Sequence, residues 1–232
     1  MNFIKKITNI ILHRPRVVFL YLVEHFFIFL PDRLYLSILF YLRMGYKLNL
    51  KNPKSFNEKL QWLKLYNRKS IYTLMVDKYL VKDYVANILG EEYIIPTIGI
   101  WEKFDDIDFT TLPNQFVLKT TNGGSGTGVI ICRDKSLLDV RLAKKCLQKS
   151  MQDNIYKKYR EWPYKNVKPR IIAEELISNG KEYIDDYKFF CFNGEPKMFL
   201  VANGRFVLDE TAFDYFDMNF TDLMNKYNHK NR

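Results

Sequence analysis

Apolar positions follow two periods along this chain, and the change falls near residue 90. Up to that point they recur every three to four residues, the spacing of helices that bury one face. Asp32 stands where a cap would open a helix carrying Leu34, Leu36, Ile38, Leu39 and Leu42, and Gly45 where such a helix would stop. In Asn52-Pro-Lys-Ser-Phe-Asn-Glu58, Ser55 and Glu58 have the spacing of a capping box. The helix that follows sets Phe56, Leu60, Leu63 and Tyr66 near one face. A further helix is predicted over 71–89, ended by Gly90, with Leu74, Tyr79, Val81, Val85 and Ile88 turned to a core.

Beyond residue 90 the pattern becomes that of strands. The stretch 93–100 is β-branched and interrupted by Pro96, which predicts an edge strand or an extended connection. Residues 116–119 and 129–132 read as strands on either side of a glycine-rich loop, 136–159 as a basic helix, and 170–177 as a buried strand. Residues 187–192 and 197–201 flank Asn193-Gly194, the strongest short hairpin signal. The fold class expected is therefore α+β. A helical N-terminal region occupies about 1–100, and a domain with antiparallel strands and a glycine-rich flap occupies 101–232.

Composition narrows the function. At 232 residues, 47% apolar and 27% charged, the chain is neither a disordered tail nor an integral membrane protein. Its net charge of +10 points to a polyanionic partner such as nucleotide phosphates, nucleic acid or an anionic membrane. The three histidines, His13, His25 and His229, leave none between 26 and 228. Ser-His-Asp and Cys-His nucleophiles thus have no base where the motifs lie, and histidine-rich metal sites are excluded. Cys132, Cys146 and Cys191 form no CxxC pair and read as reduced cytosolic thiols in the core. The apolar run 17–30 contains Glu24 and His25 and is shorter than the roughly 20 residues a membrane span needs. It reads as a buried helix, or as a basic, aromatic helix lying on the inner membrane face after Lys5, Lys6, Arg14 and Arg16. No signal peptide is recognised, so a cytoplasmic protein is expected, with peripheral contact with that face.

Three stretches carry candidate chemistry. Thr120-Thr-Asn-Gly-Gly-Ser-Gly-Thr-Gly128 follows Lys119, so backbone amides of a flexible loop could cradle phosphate beside an ammonium group. It is not a P-loop, because Val129 stands where lysine is required, and it does not match GxGxxG. An ordinary hairpin loop is an equal reading of these residues. Arg170-Ile-Ile-Ala-Glu-Glu-Leu-Ile177 is a strand ending in two carboxylates, which could bind adenine or simply face water. Asp186 and Lys188, two apart, share one strand face and could hold a ribose and a phosphate or pair with each other. Acidic Asp105, Asp106 and Asp108 read as a solvated loop.

In this order the stretches resemble the ATP-grasp superfamily, and more narrowly its teichuronopeptide-biosynthesis-like (TupA-like) polysaccharide branch. The blocks that carry the resemblance are Asn52-Pro-Lys-Ser-Phe-Asn-Glu-Lys-Leu-Gln-Trp-Leu-Lys-Leu-Tyr66, Asp77-Lys-Tyr with Tyr84-Val85, and Leu112-Pro-Asn-Gln-Phe-Val-Leu-Lys119. Ile172-Ala-Glu-Glu175 and Asp186-Tyr-Lys-Phe-Phe-Cys-Phe-Asn-Gly-Glu-Pro196 complete it. The resemblance implies that Lys119 binds ATP phosphates and that Gly123, Gly124, Ser125, Gly126 and Gly128 cover them. It also implies an adenine hinge at Glu174, Glu175, Leu176 and Ile177, a ribose contact at Asp186, and a phosphate or acidic-substrate contact at Lys188. Lys119 and Lys188 are the candidate catalytic groups, ATP with Mg²⁺ the implied cofactors, and ligation of a carboxylate to an amine through an acyl phosphate the implied reaction. The superfamily's late metal-bearing strands have no counterpart before Arg232. Asp209, Glu210, Asp214 and Asp217 fall in no matching motif, so the metal ligands stay unassigned and binding is expected ahead of turnover.

Two rival readings remain. A glycosyltransferase of capsule or other polysaccharide synthesis would use Asp185 and Asp186 as a metal-bound diphosphate clamp. A non-catalytic basic protein would bind RNA or anionic lipid through its lysine-rich, aromatic surface, although no RNA-binding signature is present and nucleic acid is not expected. The partners expected are a nucleotide and a polysaccharide-linked acidic substrate.

Overall fold

The computed structural model describes residues 15–124, 126–177, 184–203 and 212–223. The chain divides into two compact units, Met1–Glu175 and Leu176–Arg232. The first holds helices α1 (Pro15–Phe26), α2 (Asp32–Met44), α3 (Phe56–Tyr66), α4 (Ile71–Val76), α5 (Leu80–Leu89), α6 (Val140–Gln152) and α7 (Ile155–Tyr159). It also holds strands β1 (Thr97–Trp101), β2 (Phe116–Thr120), β3 (Val129–Cys132) and β4 (Ile171–Glu174). The second unit holds β5 (Asp186–Phe192), β6 (Glu195–Asn203) and β7 (Ala212–Asp217). The fold is α+β, helices first and antiparallel sheets after, as the periodicities indicate.

Local signals act where they stand. Ser55 and Glu58 form the full capping box of α3, and the backbone N–H of Ser55 donates to Glu58 Oε2 at 2.9 Å. Those amide bonds hold the Glu58 carboxyl below the usual carboxylate range. Gly45 closes α2 in the left-handed region at φ 80°, with its N–H on Tyr41 O. Asp32 does not cap α2, because Pro31 occupies the cap position and the Asp32 carboxylate turns inward to Arg68, Arg160 and Tyr156.

The helix expected over 71–89 is two helices broken at Asp77–Tyr79. Asp77 Oδ1 accepts from the backbone N–H groups of Tyr79 and Leu80, opening α5, and its Oδ2 takes Arg170 at 2.8 Å. The basic helix expected over 136–159 is likewise divided, since Asn154 caps α7 by accepting from the Lys157 N–H. The apolar run 17–30 is not a buried helix: α1 buries Val23 against Tyr35 and Leu39 and leaves most of its other large apolar groups exposed.

The four-stranded sheet has the order β1-β4-β2-β3, all antiparallel, with β1 on an edge as Pro96 indicates. One face packs Phe116, Leu118, Ile171 and Ala173 against Ala143 and Leu147 of α6. Because side chains alternate, the other face carries Val117, Lys119, Ile172 and Glu174. In the second unit β5 and β6 turn at Asn193 (φ 53°) and Gly194 (φ 82°), a pair of left-handed residues that suits a two-residue hairpin. Of the three cysteines only Cys132 is buried; Cys146 is half-buried and Cys191 is exposed on β5, so the cysteines are not uniformly core residues.

Candidate nucleotide site

The register of β2 on β4 builds the site. Lys119 lies opposite Ile172 and Val117 opposite Glu174, so Lys119 and Glu174 are diagonal neighbours on one face. Their side chains form an ion pair, and Glu174, 2% exposed, does not face water. Its other oxygen lies 2.6 Å from Lys82 Nζ of α5. Lys82 also donates to Ile95 O and Thr97 Oγ1, both at 2.7 Å, which ties α5 to the edge strand.

A second charged pair lies alongside. Buried Asp77 binds Arg170, whose guanidinium also lies 5.0 Å from the centroid of the Tyr79 ring. Arg170 Nε is buried and has no hydrogen-bond partner among the described residues. Next to Asp77, Lys78 sends its ammonium to Gly123 O in the glycine loop, and its backbone N–H to Thr121 O at 3.2 Å. Burial, followed by repulsion from Lys119, lowers the Lys78 pKa to about 8. Four cations, Lys78, Lys82, Lys119 and Arg170, thus gather around two carboxylates, a surplus of two positive charges.

The loop itself is closely fitted at its base. Thr120 Oγ1 and Ser150 Oγ bond at 2.7 Å, and Asn122 Nδ2 donates to Ser150 O and Asp153 O at the end of α6. A Cβ on Gly123 would stand 2.9 Å from Thr127 O and 2.6 Å from Thr120 Oγ1. Gly128, at φ +68°, would put one 2.2 Å from Ser150 Oγ. Glycine is therefore required at both positions, by close approach at the first and by approach and backbone geometry at the second. Gly126 also has positive φ (78°), while Ser125 lies outside the described residues.

The predicted hinge residues fall on either side of the boundary between the two units. The Glu175 N–H donates to Pro96 O at 3.2 Å and its side chain is exposed. Leu176 and Ile177 open the second unit, Ile177 half-exposed. Asp186 and Lys188 belong to that unit, where they share a face of β5 and pair with each other. Lys78, Lys82 and Arg170 are the site residues that sequence reasoning missed. The signal was present in the Asp77-Lys-Tyr block, but lysines on a helix ordinarily read as solvated.

A model of the TupA-like ATPgrasp family matches residues 58–232. The chain belongs to the TupA-like ATP-grasp family. Searches of the curated proteins and of the solved structures each returned no match. Family membership brings an ATP-binding, ligase-like fold, and the matched region contains every residue of the cation cluster. ATP-grasp folds generally also take Mg²⁺, and the residues of this site do not fit it. Among the described residues no group of three His, Cys, Asp or Glu could hold a metal. The two carboxylates of the cluster are already neutralised by Arg170, Lys82 and Lys119. Nor is any described helix long and apolar enough to cross a membrane.

Proposed function

We propose that this TupA-like ATP-grasp chain binds ATP with its phosphates against Lys119, Lys82, Lys78 and Arg170, under the amides of the loop from Gly123 to Gly128. The observation that carries this reading is the charge surplus beside a glycine loop. Gathering four partly buried cations around two buried carboxylates leaves positive charge that an anion would balance. ATP phosphates supply that charge, and ammonium groups on phosphate oxygens make charge-assisted hydrogen bonds.

The reaction such a site supports is carboxylate–amine ligation in the assembly of a cell-surface polysaccharide. A carboxylate oxygen of the acidic substrate bonds to the γ-phosphorus while the bond to the β–γ bridging oxygen breaks and ADP departs. An amine then attacks the acyl carbon, loses its proton, and phosphate leaves. The lysines draw charge from the phosphoryl oxygens as it accumulates, which is electrostatic stabilisation by preplaced groups. Glu174 and Glu175, at the end of β4, would meet the adenine.

Calorimetric titration with ATP tests the site. Saturable binding is expected, weakened roughly tenfold or more by Lys119→Met, since hydrogen bonds to charged groups carry about 1.5–3 kcal/mol. Absence of ATP binding, or unchanged affinity in Lys119→Met, overturns the reading. Stronger binding of UDP-sugars than of ATP would move the chain to the glycosyltransferase class.

A further inference from the structure

The largest unexplained feature of the first unit is the outer surface of α1 and the turn after it. Phe19, Leu22 and Phe26 recur at helical spacing on one side of α1 and are exposed. The turn adds exposed Phe27, Ile28 and Phe29, the last 76% accessible. Single exposed apolar residues need no explanation, but six large ones within eleven positions do.

This turn is not a loose end. Arg160, itself 2% exposed, donates from Nη2 to Ile28 O at 2.6 Å and to Leu30 O at 3.1 Å. Its Nε pairs with Asp32 at 2.9 Å, and its guanidinium stacks 3.9 Å over the Tyr35 ring. A buried arginine therefore fixes the carbonyls of a turn whose side chains face outward. The backbone that carries the rings is held in place, which spares part of the ordering cost on contact with a partner.

Charge identifies the partner. Through residue 31 the sequence carries Lys5, Lys6, Arg14 and Arg16 against a single acid, Glu24. Glu24 is bound to Arg43 at 2.5 Å, so it does not oppose the cations. Arg16 and Arg33 are exposed on either side of the apolar segment. A protein partner need not be anionic, whereas rigid aromatic groups framed by cations match the boundary between acyl chains and anionic headgroups. We propose that this surface seats the protein on an anionic lipid bilayer, with Phe26, Phe27, Ile28 and Phe29 entering the headgroup boundary and Arg16 and Arg33 meeting the phosphates. It is a peripheral attachment and does not depend on the ATP reading.

Co-flotation of the full chain with vesicles tests it, using phosphatidylcholine alone and phosphatidylcholine with 30% phosphatidylglycerol. Binding is expected to the anionic vesicles and to weaken with added salt. Phe27→Ser with Phe29→Ser should reduce partitioning roughly tenfold or more, because each ring withdraws apolar area from water. Arg16→Glu should reduce it severalfold and flatten the salt dependence. Both variants alter exposed groups, and an unchanged circular dichroism melt confirms that they fold. Failure to bind anionic vesicles, or equal binding by the double variant, overturns the proposal. A dimer in light scattering that Phe29→Asp dissolves would also overturn it, by showing that a second copy covers this surface.

Discussion

The first unit contains two partly buried charge networks that differ in how their positive charge is answered. Around Asp32, Arg160 and Arg68 spread their donors over that carboxylate and over backbone carbonyls, with Tyr156 Oη donating to Asp32 at 2.9 Å. Around Glu174 and Asp77, Lys119 has its ion pair with Glu174 and Lys78 reaches one loop carbonyl, so four cations share two carboxylates beside the glycines. A buried Nε without a hydrogen bond among the described residues is common to Arg170 and Arg160 and does not separate the networks. A closed network holds chain segments together. An open one, placed beside glycines, keeps its charge for a ligand.

Loss of Arg160 is expected to have the largest effect on stability. Arg160→Ala leaves the carbonyls of Ile28, Leu30 and Lys157 without their buried donor, while Asp32 keeps Arg68 and Tyr156, at a cost of about 2–3 kcal/mol in chemical denaturation. A loss below about 1 kcal/mol would mean that the network is not a stabilising hub. At the open network the expected pattern is reversed. Lys119→Met should change folding stability by about 1 kcal/mol or less, because Glu174 keeps Lys82, while ATP affinity falls tenfold or more. Equal losses of stability in the two variants would erase the distinction.

Between these lies a pH effect. Lys78, facing Lys119, Asp77 and Glu174, has a pKa lowered to about 8 from the usual 10.5. Above pH 8 the native state sheds a proton that the unfolded chain keeps, so stability should rise between about pH 8 and 10.5. ATP affinity should move the other way, falling severalfold from pH 7 to 9 as the ammonium is lost. Lys78→Met should flatten the pH dependence of both measurements. The smallest effect is expected at the edge of the closed network. Arg68→Gln removes a partly exposed ion pair with Asp32 and should cost roughly 0.5–1 kcal/mol in thermal or denaturant melts.

The sequence is legible where a feature is built from neighbours. The Ser55–Glu58 box, the Asn193-Gly194 hairpin and the strand–glycine loop–strand order all depend on groups within about ten residues. The candidate site was half legible for the same reason: Lys119 and the glycines announce themselves, and Glu174 stands at its strand end. What escaped notice depends on distant partners. Asp77 breaks a helix while bound to Arg170, 93 positions away, and Lys82 acquires its role only when Glu174 arrives from β4. Asp32 has the chemistry of a cap but is claimed by Arg68 and Arg160. Exposure of the 17–30 run could not be read either, since apolar composition fits a core and an interface equally.

The break at Asp77 also bears on the order in which the chain folds. An unbroken helix over 71–89 could begin to form early on local contacts alone. Divided into α4 of six residues and α5 of ten, neither half reaches the roughly 12–15 residues at which an isolated helix becomes even marginally stable. Their persistence therefore waits on Arg170 and on the sheet that carries Lys82's partner, contacts that require closing a loop of about ninety residues. Helices that come early in the sequence thus consolidate late in time, once β4 has found β2.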